Sequence, residues 1–399
     1  MKRRPLLSAL GAGIAGLAGC SGESPSIDET PSPTDATTGP ATHTPAPTPE
    51  TADVAAEWDT FLPGLYTLAA PAVADGRLFI GTEDSLFALD TEGGSEIWTG
   101  SLGALTHAFT PALTPDGVVA VGRDAVGGSV VSDAPGVLAA FSREGEERWR
   151  VEGPITAGPV VHDGSAHVVT RTEERVTLRA HALADGSEES AVDVGEAGDR
   201  GTVTPVVLGD RLVATVNGVR PDGSTYSRLV AVRDGDPDWT VETESAVAAA
   251  PVVHGGRLYV GTEGGRVHAV AADGSAAWTT DVGGELFVTP AVAPNGLRVV
   301  AGTDVIALSF EGVEGWRTEV GDVRRTGLTV ADGRTYVGGE ALVAFGSGGE
   351  EQWRFELGGI AGAFGTPVVR EGQVFTGACI KREGNDPYDH HVYALDADA

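Results

Sequence analysis

The run Asp386-Pro387-Tyr388-Asp389-His390-His391 is the densest set of metal-capable side chains in the sequence. Carboxylates and imidazoles bind zinc and similar ions when three or four of them converge. The run ends an insertion that begins at Lys381 and leads into Val392-Tyr393-Ala394-Leu395. Alternation along a strand sends His390 and His391 to opposite faces, which disfavours joint ligation. A polar loop entering a strand accounts for the run, with metal or ligand contact as the competing reading. His107, His162, His167, His181, His254 and His268 are scattered and read as structural. Arg324-Arg325 is the second candidate, since paired guanidinium groups on an acidic background could hold an anion or a partner's carboxylate. The alternative is a surface pair balancing nearby acids. No Gly-x-Ser-x-Gly, His-Glu-x-x-His or phosphate-loop pattern occurs. No catalytic residue and no metal site is assigned, and no bound cofactor is expected.

The composition narrows the partners. The 399 residues carry 27 Lys and Arg against 57 Asp and Glu, a formal net charge of -30. Such a surface repels nucleic-acid phosphates, so nucleic acid is excluded as a partner. Lys2 and Lys381 are the only lysines. Acidic, lysine-poor surfaces suit proteins of salt-loving archaea, where high salt screens self-repulsion. A functional acidic patch for a cation or a basic partner is the competing reading. The two cysteines, Cys20 and Cys379, give no disulfide framework, and Cys379 reads as a small buried hydrophobe.

The first 20 residues read as an export signal. Lys2-Arg3-Arg4 supplies the charged start, and Leu6 to Leu17 an apolar stretch too short to span a ~30 Å hydrocarbon core. The segment ends in Leu17-Ala18-Gly19-Cys20, which resembles the lipobox of bacterial and archaeal lipoproteins, so Cys20 is the expected lipidation site. Arg3-Arg4 before Leu6-Leu7 resembles a twin-arginine signal, the export route of folded proteins. Residues 21–52 are rich in Thr, Pro, Ser and Ala and cannot bury enough apolar area to fold. They read as a tether, partly extended by proline.

From residue 53 to 399 one pattern recurs. Its best copy is Pro71-Ala72-Val73, Asp75-Gly76, Leu78-Phe79-Ile80-Gly81-Thr82, Leu86-Phe87-Ala88-Leu89-Asp90, Gly94, Trp98. Short β-branched and aromatic runs alternate with Asp-Gly or Gly-Gly turns, the pattern of an antiparallel meander. Prolines anchor copies at 71, 111, 159, 205, 251, 290 and 367, and one more copy begins at Gly327-Leu328-Thr329 without its proline. Each proline is expected to open a first strand, where no ladder hydrogen bond is lost. These eight copies, at a period of about forty residues, have the length of a four-stranded propeller blade. No helical periodicity follows residue 20. Trp98, Trp149, Trp239, Trp278, Trp316 and Trp353 end copies; the third lacks its tryptophan near Ala191, and the eighth stops at Leu395-Asp396 before any. The missing strand is found at Val54-Ala55-Ala56-Glu57-Trp58, so the N-terminal strand is expected to complete the last blade. The predicted fold is all-β, an eight-bladed propeller closed by its first strand.

Ala88-Leu89-Asp90-Thr91-Glu92-Gly93-Gly94-Ser95-Glu96-Ile97-Trp98 resembles the Ala-x-Asp-x-x-x-Gly-x-x-x-Trp signature of pyrroloquinoline-quinone-like (PQQ-like) repeats. The resemblance implies an eight-bladed propeller in which this tryptophan docks one blade on the next. A lipobox ahead of one propeller is similar to the BamB family of outer-membrane-assembly lipoproteins, which implies a docking platform for other proteins. An archaeal chain would have no such outer membrane, so those partners do not carry over. The resemblance also implies that the loops before each proline anchor rim one mouth of the channel. These contain Tyr66, His107-Ala108-Phe109, Glu285-Leu286-Phe287, Arg324-Arg325 and Phe364, with Tyr66, His107, Phe287, Arg324 and Arg325 as candidate binding residues.

The features together favour a monomeric binding or scaffold propeller, lipid-anchored on the outer face of the cytoplasmic membrane, over an enzyme. Its partners would be proteins or envelope polymers. The alternative is a quinone- or metal-dependent oxidoreductase using the channel mouth. Quinone dehydrogenases resemble longer chains, with vicinal cysteines and a Ca²⁺ held by Glu, Asn and Asp. Here Cys379 has no cysteine neighbour, and Asn217, Asn295 and Asn385 are the only asparagines.

Overall fold

The computed structural model describes residues 52–63, 69–82, 84–103, 107–123, 136–196, 202–321, 323, 326–357, 362–381 and 389–398. Cys20, Tyr66, Arg324 and Arg325 lie outside them, as do the export signal and nearly all of the tether.

The described chain is all β, arranged as eight antiparallel meanders. We number the blades by chain order from Ala72–Ala74, the innermost strand of blade 1. Asp75 and Gly76 close its first hairpin with φ of 51° and 71°. Two successive left-handed residues make the turn whose twist matches the flanking strands, and Asp-Gly tolerates it at low cost. Blades 2 to 7 repeat the plan, and the innermost strands touch one another in a closed cycle.

The ring closes through the two ends of the chain. Ala56–Leu62 lies antiparallel beside Asp389–Asp396 and forms the outer strand of blade 8. This is the closure expected from the sequence. Pairing by Ala56–Leu62 covers the edge of Asp389–Asp396 that would otherwise be open, and the inner edges that remain, such as Ala72–Ala74, are short. One pairing was not expected: Ala52–Asp53 adds in parallel to the outer strand of blade 7, at Trp353 and Arg354.

Two proline anchors depart from expectation. Pro159 lies inside Ile155–His162 and Pro205 inside Thr202–Leu208, rather than opening the strand. The register shifts at both places, so each proline sits in a bulge where the ladder needs no N–H.

The core lies in the joints between blades. Eight clusters of buried side chains are found, one at each joint. Each blade is therefore covered on both faces. That is why strands such as Gly117–Arg123 and Gly136–Ser142 are buried along their full length. Outer strands such as Ala276–Asp281 alternate between partly buried and exposed residues. Each fully buried Leu or Val in these joints contributes roughly 1.5–3 kcal/mol.

Candidate functional site

A repeated row of side chains crosses each blade near one end. In blade 1, Phe79 pairs with Ala88, and Ala88 with Trp98. In every blade the middle residue is alanine, and in seven of the eight the outer residue is tryptophan. The small alanine leaves room for the indole to lean onto the next blade. The inner residue varies: Tyr259, Tyr336 and Phe375 give rings, whereas Arg298 places its guanidinium 5.0 Å from the Trp316 ring. A buried cation over an indole face is favourable by about 2 kcal/mol.

The indoles bolt the joints. Trp58, Trp98, Trp149, Trp239, Trp278 and Trp316 each donate Nε1–H to a carbonyl of the next blade at 2.8–3.0 Å. The receiving turn brings a glycine against the ring. A Cβ on Gly94 would stand 2.4 Å from Trp58 Cε3, so no larger residue fits. Thr60, Thr280 and Thr318 add a second bond each, from Oγ1 to the glycine carbonyl. Trp353 is fully buried and packs at 5.9 Å from Tyr336.

The joint between blades 3 and 4 is built differently. Ser190 stands opposite Ala180, in the place of tryptophan, and His167 occupies the inner position. The gap thus falls beside Ala191, where the sequence placed it. A bulge between Ala180 and His181 sets the register. The receiving side has changed as well. Blade 4 turns tightly through Asp234 and Gly235, with φ of 53° and 84°, joining Arg233 directly to Asp236. A Cβ added at Gly235 would meet nothing within 4 Å.

A cavity of about 200 Å³ occupies this joint. Two joints that hold a tryptophan, between blades 8 and 1 and between blades 1 and 2, leave about 30 and 120 Å³. Buried Leu178, Val192, Leu212 and Val232 form its floor. His162, Ser165, His167 and Ser190 form the wall on blade 3. Exposed Asp163, Asp210 and Asp234 stand around its opening. Burial holds the His167 imidazole below its ordinary pKa, hence neutral at neutral pH. Its Nε2 lies 3.4 Å from the His162 carbonyl oxygen. Ser165 donates to Glu189 at 2.5 Å, and His162 Nε2 lies 3.2 Å from Asp163. The arrangement offers a small open slot with an apolar floor, a polar wall on blade 3 and carboxylates at its opening.

The two adjacent histidines of the C-terminal run lie on one strand, Asp389–Asp396. His390 is buried and His391 is partly exposed, its Nδ1 2.9 Å from Asp59, so alternation does separate the two imidazoles. Among the described residues no group of three or more His, Cys, Asp or Glu could hold a metal ion. His107 lies in a short strand paired with Arg123. Phe287 is half-buried. Two of its companions are core residues instead: Leu286 and Phe364 are fully buried, Phe364 in the cluster between blades 7 and 8. Cys379 is buried and its thiol is pushed up to about 11, so it is unreactive at neutral pH. Sequence reasoning passed over the blade 3–4 cavity. The signal that could have found it was the combination of the missing tryptophan and the short Asp234-Gly235 turn.

Comparison with known proteins follows this geometry. A family model described as outer membrane protein assembly factor BamB matches residues 50–169, 173–312 and 301–399. Outer membrane protein assembly factor BamB of Moranella endobia (strain PCIT) is 28% identical over 239 residues, 55% of this chain and 58% of that protein. Serine/threonine-protein kinase AfsK of Streptomyces coelicolor is 32% identical over 143 residues, 34% of this chain and 16% of the kinase. The chain thus spans less than two thirds of the length of either relative. The crystal structure of BamB from Moraxella catarrhalis superposes with a TM-score of 0.63 at 15% identity, covering 86% of this chain and 99% of that one. At that identity the likeness shows the fold alone.

Proposed function

Because this chain belongs to the outer membrane protein assembly factor BamB family of PQQ-like repeats, we propose that it is a binding scaffold that docks other proteins at the cell envelope. The observation that carries this reading is the family match, which tiles residues 50–399 and so takes in the whole propeller. The architecture suits the role. A ring bolted by indole hydrogen bonds at six joints, with Trp353 packed into a seventh, presents its turns as a rigid surface, which lowers the ordering cost of binding.

The finer reading is that lipid on Cys20 holds the domain at the outer face of the cytoplasmic membrane, with residues 21–52 as the tether. Leu17-Ala18-Gly19-Cys20 supports it. The protein is monomeric, carries no cofactor, and avoids nucleic acid through its charge of -30.

Two measurements test the proposal. Cys20→Ala is expected to release the protein from membranes into the medium, and a variant as membrane-bound as wild type overturns the anchor. A photo-cross-linking residue at exposed Val219 or Val313 is expected to give discrete adducts with other proteins in cells. The absence of adducts from both positions overturns the scaffold.

A further inference from the structure

We propose that the cavity between blades 3 and 4 is a receptor for one aromatic side chain, tryptophan above all, presented by a basic segment of a partner protein. The inference rests on the scaffold reading and names the chemistry that one of its sites would recognise.

The shape of the site comes from the row of side chains. In seven blades an indole fills the position opposite the alanine, and here Ser190 leaves it open. The blade 4 turn that would receive an indole is cut to two residues, so neither half of the internal dock is present. Loss of both halves together leaves about 200 Å³ open to solvent above an apolar floor. A cavity of about 150 Å³ already takes a benzene ring. The space therefore suits one aromatic side chain and is small for a cofactor, whose pockets run from about 300 Å³ upward.

The chemistry of the walls completes the match. The neutral His167 ring occupies the row position that Phe79 and Tyr259 hold beneath their indoles, at 5.8 and 5.9 Å. Ser190 offers a hydroxyl where an N–H could donate. Asp210 at the entrance is already paired with Arg211 and Arg233, but Asp163 and Asp234 stand beside it at exposed turns with no arginine partner among the described residues and favour cations beside the aromatic residue. An acidic partner segment would be repelled there.

The test uses the full-length protein and the capped peptide Gly-Arg-Trp-Arg-Gly in calorimetry at low and high salt. Binding is expected, with a loss of about 30-fold when Ala replaces Trp in the peptide, the scale set by a buried interface anchor. Ser190→Trp should fill the slot from within and abolish binding. Asp163→Asn with Asp234→Asn, both at exposed turns, should weaken binding several-fold at low salt and little at high salt. His167 ring signals should shift in the NMR spectrum as peptide is added to wild type, which keeps the test decisive even if Ser190→Trp fails to fold. No binding, equal affinity for the Ala peptide, or unmoved His167 signals overturn the proposal. Cross-links at Val219 or Val313 without peptide binding would leave the scaffold standing and remove this site alone.

Discussion

Trp58 lies opposite Ala394 in the antiparallel pair that joins the beginning of the propeller to its end. From there its indole reaches blade 1, donating Nε1–H to the Thr91 carbonyl at 3.0 Å, and it sits 6.0 Å from the Phe375 ring of blade 8. One side chain thus ties the first strand to the last blade and the last blade to the first. Glu57 reinforces the seam by accepting a hydrogen bond from Gln373.

Removing residues 1–61 should therefore open the ring. The outer strand of blade 8 would be lost, together with Trp58 and its bond across the joint. Truncation of a buried tryptophan alone costs about 3–5 kcal/mol, and Trp58→Ala should cost somewhat less because its ring is partly exposed. Thermal melting followed by circular dichroism measures both. A shortened protein that melts at the wild-type temperature would show that closure does not depend on this strand.

The glycine beneath the same indole sets a second expectation. Gly94 has φ of 69°, and a Cβ there would meet Trp58 at 2.4 Å and Thr60 Oγ1 at 2.5 Å. Gly94→Ala should destabilise by about 1–3 kcal/mol, through an unfavourable φ and an overpacked joint. Gly235→Ala has a similarly unfavourable φ of 84° but meets nothing within 4 Å. It should cost less, and the difference between the two variants measures the dock itself. Equal losses in chemical denaturation would mean that backbone strain is the whole effect.

Much of this architecture was legible because its marks are rigid residues. Asp-Gly turns, prolines and tryptophans cannot drift without loss of backbone fit or packing, so they record the eight copies and the split last blade. The details that were not legible involve residues with many uses. Ser190 takes the tryptophan position beside Ala191, and the bulge between Ala180 and His181 that sets its register leaves no mark in the sequence. Ala52–Asp53 carries no strand signal, and its parallel pairing with Trp353 and Arg354 follows only once the ring is closed. Leu286 and Phe364 looked like mouth residues from their place before a proline, yet their apolar side chains are claimed by the joints. The blade 3–4 cavity shows in the sequence only when two signs on different blades are read together, the missing tryptophan and the two-residue turn at Asp234-Gly235, and neither alone specifies an opening.

The buried histidines set the acid limit of stability. Burial lowers the pKa of His167 and of His390 from the ordinary value of 6.5. In the unfolded chain both bind protons as pH falls through 6.5, while the folded protein resists doing so. The unfolded state then binds more protons, so stability should decline from pH 6.5 downward and hold above it. Asp185, Asp222 and Asp273, whose carboxylates are held below the usual range by bonds from Ser187, Ser224 and Ser275, act in the same sense at lower pH. His167→Phe should flatten the decline of the melting temperature as pH falls below 6.5, relative to wild type. An unchanged slope below pH 6.5 would exclude His167 as a contributor.

The row His167–Ala180–Ser190 can be converted into the row Phe79–Ala88–Trp98 by two substitutions. Ser190→Trp alone would lay an indole over the apolar floor of Leu178 and Val192 but find no receiving carbonyl turn on blade 4. His167→Phe alone would remove a buried polar ring and leave the slot open. Together they should recover an aromatic contact like that of Phe79 with Trp98, 5.8 Å between centroids. Such pairs add about 0.5–1.5 kcal/mol beyond their area burial. The double variant should therefore be more stable than the sum of the single effects by about that amount, measured as a coupling energy in urea denaturation. Additive effects would mean that the short Asp234-Gly235 turn, by failing to hold the indole, prevents the dock from forming however its own blade is rebuilt.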